Sequence, residues 1–396
     1  MNGQKQTVGI AFAAFIALGL TSGLLGLAWP SMRQDFNLPL DAVGILFLVN
    51  TVAYSLAGFF IGRLMTRLGS GLALLLGVCL MGVCMFGIAA SSAWVAVIAF
   101  SLVFGFGSGI LDAGLNLYFA TYHSARQMSW LHASFGLGIT FGPLIMTFVL
   151  QQNLKWQTGY AIVGVALIAV ILMFALTRRQ WRVEGFQTVE NKPVLRASFA
   201  ETLATPVVWF SIATFLVYVG TEIGIGQWAY TLLTESRAIA PGIAGLCVSI
   251  YWGAFTGGRI LFGIIADRFP ITRILRFAML GMVAGTFLFW WNPVSAVALL
   301  GLVVVGFSQA PVFPMLMSDT PQRVGAEHAE NTISLQMGAV GIGTAILPSL
   351  LGTLGKNAGL ETMAISFVLM AVSVFIFFEL TRIRRVALPA MGDPRS

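Results

Sequence analysis

Long apolar runs separated by short polar breaks occupy nearly the whole chain. A membrane-crossing helix needs about 20 apolar residues, and on that measure the runs predict twelve spans. They fall at roughly 8–32, 43–62, 71–91, 94–121, 130–150, 158–178, 207–234, 242–266, 273–291, 294–317, 330–353 and 361–381. The longest polar stretch, Arg178 to Pro206, is charged and carries two prolines, as a linker would. The chain therefore divides into a six-helix bundle over 1–177, a linker over 178–206 and a second six-helix bundle with a short tail over 207–396. The first run begins near Thr7, continues past Gly26 and shows no small-residue cleavage site, so it is expected to stay as the first span.

Sliding the second half back by about 201 residues brings the two halves into register, as an internal duplication does. Gly62 and Arg67 align with Gly263 and Arg268, and Gly105 aligns with Gly306. Gly136, Gly138 and Pro143 match Gly341, Gly343 and Pro348 after a slip of four residues. Two related bundles place a central cavity between them, near the bilayer midplane.

Composition agrees with lipid as the solvent: of 396 residues, 58% are hydrophobic and 9% charged. The net charge of +7 does not point to nucleic acid, because the basic residues are scattered between apolar runs instead of clustered on one face. Their sidedness is more informative. With the N-terminus inside, eighteen of the 22 Lys and Arg residues fall on the inner side; only Arg33, Lys155, Arg237 and Lys356 fall outside. That bias predicts a multi-pass inner-membrane protein with both termini cytoplasmic. Cys79, Cys84 and Cys247 lie inside apolar runs and give no sign of redox chemistry or a loop disulfide.

An ionisable residue in mid-membrane costs about 2.5–3.5 kcal/mol on insertion scales and is a functional candidate by default. Of fifteen acids, two fall in mid-span: Asp112 and Glu222. Both are candidates for proton coupling, Asp112 foremost. Asn116 lies one turn after Asp112, and His132, a third proton-coupling candidate, enters the fifth span at a comparable depth, so the three could form one polar cluster. The structural alternative for Asp112 is a static network tying helices; for His132 it is simple solvation. Around Glu222, the glycines Gly220, Gly224 and Gly226 suit a broken or bent helix facing a cavity. Gln227 and Trp228 follow. An amide and an aromatic face are what a pyranose needs, one for its hydroxyls and one for its apolar side. Asn50, Tyr54, Tyr251, Trp252, Gln309 and, further inward, Gln336 complete the candidate substrate residues, with helix packing or an interfacial aromatic belt as the alternative for each. Pro311, Pro314 and Pro348 are candidate bend points.

The stretch from Gly62 to Gly69, with Arg67, resembles the signature between the second and third helices of the major facilitator superfamily. The stretch Gly263 to Pro270, with Asp267 and Arg268, resembles it again between helices 8 and 9. Thr66 replaces the acid in the first copy. The resemblance implies the major facilitator fold and assigns gating to Gly62, Arg67, Arg259, Gly263, Asp267 and Arg268, through a tight glycine contact and charge bridges at helix ends in one access state. Asp112 to Asn116, Leu131 to Gly138 and Thr221 to Trp228 resemble the branch containing fucose, galactose and glucose permeases and the sodium-dependent glucose transporter type. That branch implies a carboxylate in helix 4 beside a sugar path, which favours a polar role for Asp112 and Asn116.

The leading expectation is secondary active uptake of a small neutral solute, a monosaccharide, by alternating access driven by protons, with sodium as the alternative ion. A partial resemblance of Gly138 to Pro143 to an antiporter motif supports a second reading, a proton-driven exporter of amphipathic drugs or metabolites. A transport-inactive receptor is a third. No nucleophile and base set, paired histidines, metal cluster or phosphate loop is present in the sequence, so neither enzyme activity nor a cofactor is expected. A monomer is the expected state, since each chain contains its own pathway.

Overall fold

The structure, a computed structural model, describes residues 2–181 and 197–383. Most of the expected linker (182–196) and the tail (384–396) lie outside the described residues, as does the side chain of Asp267. The described chain is helical: α1 (Asn2–Ser22), α2 (Leu25–Asp35), α3 (Gly44–Leu68), α4 (Ser70–Ala90), α5 (Trp94–Tyr122), α6 (Ala125–Gln151) and α7 (Trp156–Thr177) form the first half. A short helix α8 (Phe199–Ala204) precedes α9 (Pro206–Thr231), α10 (Pro241–Ile265), α11 (Ile271–Trp291), α12 (Ser295–Gln309), α13 (Val312–Ser318), α14 (Thr320–Val324), α15 (Ala329–Ala358) and α16 (Glu361–Ile383). Eleven of these helices or continuous helical stretches are long and apolar enough to cross a membrane, and α1 with α2, bent by 41°, makes a twelfth span. Large side chains such as Phe59, Leu176 and Phe277 are exposed on the outside of the bundle, where lipid tails are the solvent.

The boundaries show what local chemistry adds to hydropathy. The second span runs to Leu68, not to 62, so Gly62 and Arg67 are helical and the connection shrinks to Gly69. Gly69 sits at φ +79, a conformation that glycine adopts without a Cβ penalty, and its NH bonds to the Met65 carbonyl. The fifth span starts at Ala125, five residues earlier than expected, because Ser124 and Gln127 form a capping box. Ser198 and Glu201 form another on α8; the Ser198 backbone NH holds the Glu201 carboxyl below the usual carboxylate range. The end of the linker is thus a capped turn, tied to the second half by the Ala197 NH on the Glu327 carbonyl.

One expected bend moves and another stays. Helix α9 runs unbroken through Glu222, because its glycines serve packing: a Cβ on Gly220 would fall 2.1 Å from Leu347, and one on Gly226 2.4 Å from Trp252. The break occurs instead in the first span, at Ser22–Leu25. The tenth span does break beside Pro311, between α12 and α13.

The duplication is visible as repeated contact geometry. A Cβ on Gly105 would lie 2.4 Å from the Asn50 carbonyl oxygen, and one on Gly306 2.4 Å from that of Tyr251; both partners of each pair are separated by the same 201 residues. Helices α3 with α5, and α10 with α12, therefore cross alike. The Gly138 to Pro143 segment packs on α1: Cβ atoms on Gly138 and Gly142 would fall 2.0 and 2.6 Å from the carbonyl oxygens of Ile16 and Leu20.

The halves pack together from one end to mid-depth, where Thr140 of α6 and Thr256 of α10 lie 3.3 Å apart. On the face opposite the termini, Arg33 of α2 pairs with Glu235 after α9 at 2.5 Å, and Lys356 of α15 pairs with Asp41 before α3 at 3.1 Å. There a Cβ on Gly44 would press on Ser349 at 2.8 Å. Towards the face carrying the termini, added Cβ atoms on Gly58, Gly62, Gly257, Gly263 and Gly338 would meet nothing within 4 Å. The tight glycine contact expected at Gly62 and Gly263 is absent because the bundles have parted at that end. Arg67 and Arg268 are exposed there.

Exposed ion pairs contribute about 0.2–1 kcal/mol each. The double substitution Arg33→Gln with Lys356→Gln should therefore open the pinned face roughly two- to thirtyfold more often. The measurement is the rate at which an impermeant thiol reagent, applied to that face, labels a cysteine at Ser22 once the native cysteines are replaced. An unchanged rate would show that the pairs do not hold the face closed.

Candidate functional site

The first and seventh spans cross at Gly26, where only a glycine fits: a Cβ would lie 2.7 Å from the Gly226 carbonyl oxygen and 3.2 Å from the Gln227 Cα. Beside this crossing lies a cavity of about 290 Å³, lined by Thr21 and Ser22 at the α1–α2 break, Asn50 on α3, Glu222 and Gln227 on α9 and Trp252 on α10, among others. Both halves contribute to its wall.

Glu222 is held from behind. The Tyr218 hydroxyl, one turn earlier on the same helix, lies 2.5 Å from Glu222 Oε2 and 2.9 Å from the Gln309 backbone carbonyl. The Tyr251 hydroxyl lies 2.7 Å from Gln309 Oε1 and 3.1 Å from the Glu222 carbonyl. Tyr251 and Gln309 are fully buried, so these two expected substrate residues instead form the second layer that fixes the acid. Among the described residues no cationic side chain forms an ion pair with Glu222. Arg259, whose charge acts on it, stacks its guanidinium 4.3 Å over the Phe255 ring, and its Nε has no hydrogen-bond partner. Gln227 is 4% exposed and its Nε2 also lacks a partner. A buried amide donor left open at a cavity wall is costly without a ligand. Trp252 sets its ring edge against Tyr251 and Phe255, which fixes the aromatic wall.

Asp112 belongs to a separate cluster. It accepts hydrogen bonds from the Tyr54 hydroxyl and from Asn116 Nδ2, the latter at 3.1 Å, and neither Asp112, Tyr54 nor Asn116 lines the cavity. The cluster expected from Asp112, Asn116 and His132 thus forms with Tyr54 in place of His132. Because α6 begins early, His132 lies two turns inside a helix that packs on α1, and its ring stands edge-on to Phe15 at 5.7 Å. Asn50 approaches the Ser101 carbonyl at 3.5 Å through Nδ2.

Two other expected substrate residues are engaged elsewhere. Trp228 is fully buried and donates to the Pro348 carbonyl at 2.8 Å. Gln336 is fully buried and donates to Ser211 at 2.7 Å. It adjoins an acid that hydropathy missed: Asp319 pairs with Arg323 at 3.2 Å, with side chains 1% and 0% exposed, and Arg323 also donates to the Leu316 carbonyl. Both residues fall beyond the expected end of the tenth span. Only the break at Pro311 hinted that the helix continues inward as shorter segments.

A sequence model of the Major Facilitator Superfamily matches residues 10–348. The glucose/mannose transporter GlcP of Bacillus subtilis is 22% identical over 387 residues, covering 96% of this chain and 95% of that protein. The sodium-dependent glucose transporter 1A of Mus musculus is 23% identical over 343 residues, covering 76% of this chain and 79% of that protein. The solved structure of a D-xylose-proton symporter matches with a TM-score of 0.75 at 14% identity, over 97% of this chain and 98% of that one. The architecture is the major facilitator fold.

Removing one partner of a buried ion pair costs about 3–5 kcal/mol, because the other charge is left uncompensated. Arg323→Gln should therefore lower the thermal unfolding temperature in detergent sharply, and the double substitution with Asp319→Asn should recover part of the loss. An unaffected melting temperature in Arg323→Gln would contradict a structural role for the pair.

Proposed function

The chain belongs to the Major Facilitator Superfamily, and we propose that it is a secondary active transporter that takes up a monosaccharide across the inner membrane by alternating access with proton coupling. The observation that carries this reading is the cavity beside the crossing of the first and seventh spans. A carboxylate, an unpartnered amide donor and an aromatic ring converge on it from the second half, with Asn50, Thr21 and Ser22 facing them from the first. Hydroxyl groups of a sugar answer both donors and acceptors, and its apolar face suits Trp252. At about 290 Å³ the cavity lies at the lower limit of the roughly 300–1,000 Å³ usual for small-molecule sites. That size favours a small solute over the amphipathic cargo of a drug exporter. The sugar-transporter names among the relatives support the same class.

In this reading the termini are cytoplasmic, as the cation bias requires, and the parted face opens to the cytoplasm. The ion pairs Arg33–Glu235 and Lys356–Asp41 close the outer face. Gly62, Arg67, Arg259, Gly263, Asp267 and Arg268 close the inner face in the converse state. Asp112 carries the proton, between the cavity and the cytoplasm, with Tyr54 and Asn116 orienting it. His132 lines the exit path. Glu222, Gln227 and Trp252 hold the solute, and the chain acts as a monomer.

The test is uptake of radiolabelled hexoses and 6-deoxyhexoses by purified protein in liposomes under an inward proton gradient. One sugar should accumulate. Asp112→Asn should abolish uphill uptake and spare exchange, and Gln227→Ala should raise KM about tenfold, the equivalent of one hydrogen bond of about 1.5 kcal/mol. Absence of flux for every sugar, with flux of an amphipathic cation, would replace this reading with that of an exporter.

A further inference from the structure

We infer that the break between α1 and α2, together with the facing turn of α9, forms a binding site for a monovalent cation of the sodium class. Its ligands are the Glu222 carboxylate, the hydroxyl oxygens of Thr21 and Ser22 and the amide carbonyl of Asn50. The inference rests on the reading of the cavity as the transport site, and adds to it an occupant distinct from the solute.

Internal symmetry brings the ligands together. Thr21 and Glu222 are 201 residues apart, so they hold equivalent positions on the first and seventh spans. Gly26 and Gln227 share that offset and touch where the two helices cross. About one turn from this contact, Thr21, Ser22 and Glu222 line the same cavity from its two sides.

The hydrogen-bond inventory gives the site its sign. The Thr21 and Ser22 hydroxyls both donate to the Leu18 carbonyl, at 2.7 and 3.0 Å. With those protons committed, each oxygen presents lone pairs only. Asn50 directs its amide nitrogen to the Ser101 carbonyl, which leaves its carbonyl oxygen. Glu222 is an acceptor on both oxygens, and Tyr218 occupies one of them. Four acceptor groups and a formal negative charge thus face the cavity, and no lysine or arginine forms an ion pair with that charge among the described residues.

Sugar hydroxyls would satisfy these acceptors but bring no cation to pair with the carboxylate, on which Arg259 acts without forming an ion pair. A proton would engage one oxygen and leave three groups unaddressed. A small hard cation answers all of them, since it prefers carboxylate, carbonyl and hydroxyl oxygen. A broken membrane helix opposite an acid is a setting in which such ions are held. One carboxylate suits a single charge, and among the described residues no cluster of His, Cys, Asp or Glu suits a transition metal.

The experiment is thermal unfolding of the purified full-length protein in detergent, without any sugar, in sodium, potassium or choline chloride at constant ionic strength. Sodium should raise the melting temperature saturably, and potassium and choline should not. Glu222→Gln keeps an acceptor for Tyr218 but should abolish the sodium increment. Ser22→Ala, a mild change at an exposed position, should weaken the half-saturating concentration at least fivefold. Asp112→Asn should retain the increment. No sodium-specific increment in wild type, or an increment that survives Glu222→Gln or disappears in Asp112→Asn, would overturn the assignment. Because no solute is present, a sodium effect without sugar flux would retain the site and discard the sugar reading. Flux without a sodium effect would do the reverse.

Discussion

A carboxylate kept near the middle of a membrane-spanning bundle, with no cationic side chain paired to it among the described residues, constrains everything around it. Glu222 stays in place because the Tyr218 hydroxyl holds its carboxylate and the Tyr251 hydroxyl its backbone carbonyl, with Tyr218 also against the Gln309 carbonyl. The cavity side must supply what the protein withholds. Water, an ion or a polar solute can do so, and each must be able to come and go. In the proposed reading the parted end of the bundle provides the route, and the ion pairs at the other end close it.

Duplication and divergence divide the work. Where the halves agree, as at Gly105 under Asn50 and Gly306 under Tyr251, the shared geometry sets how the helices cross. Where they differ, chemistry appears. Thr21 stands opposite its counterpart Glu222, and the counterpart of Asp112 in the second half is Phe313. A symmetric scaffold therefore encloses an asymmetric site. Charge reaches the cavity from the second half and hydroxyl oxygen from the first.

Much of the fold was legible in the sequence, because spanning helices must satisfy their backbone internally and therefore declare themselves as apolar runs. The span order, the offset between halves and the break beside Pro311 were all readable in this way. Features set by tertiary packing were less accessible. The glycines around Glu222 suggested a bend, but the structure uses them to admit Leu347 and Trp252. Trp228 and Gln336 had suitable side chains at suitable depths. Which way a helix face turns depends on its neighbours, and both turn inward to Pro348 and Ser211. Asp319 and Arg323 escaped notice because a hydropathy profile ends a span where charges begin, and only structure shows two charges burying each other. The partner of Asp112 was similarly hidden: Tyr54 approaches from α3, across a contact that sequence spacing does not encode.

The claim on which the functional reading turns is that the two halves rock about this cavity, so that one face closes as the other opens. Double electron–electron resonance tests it most directly, with one label pair on the terminal face at Arg126 and Phe269 and another on the opposite face at Gln34 and Asn357, all exposed positions. Without solute, the terminal-face pair should be far apart and the opposite pair close. Under conditions that drive transport, a second population should appear with both distances reversed. A single fixed distance at each face under every condition would contradict rocking and, with it, transport by alternating access.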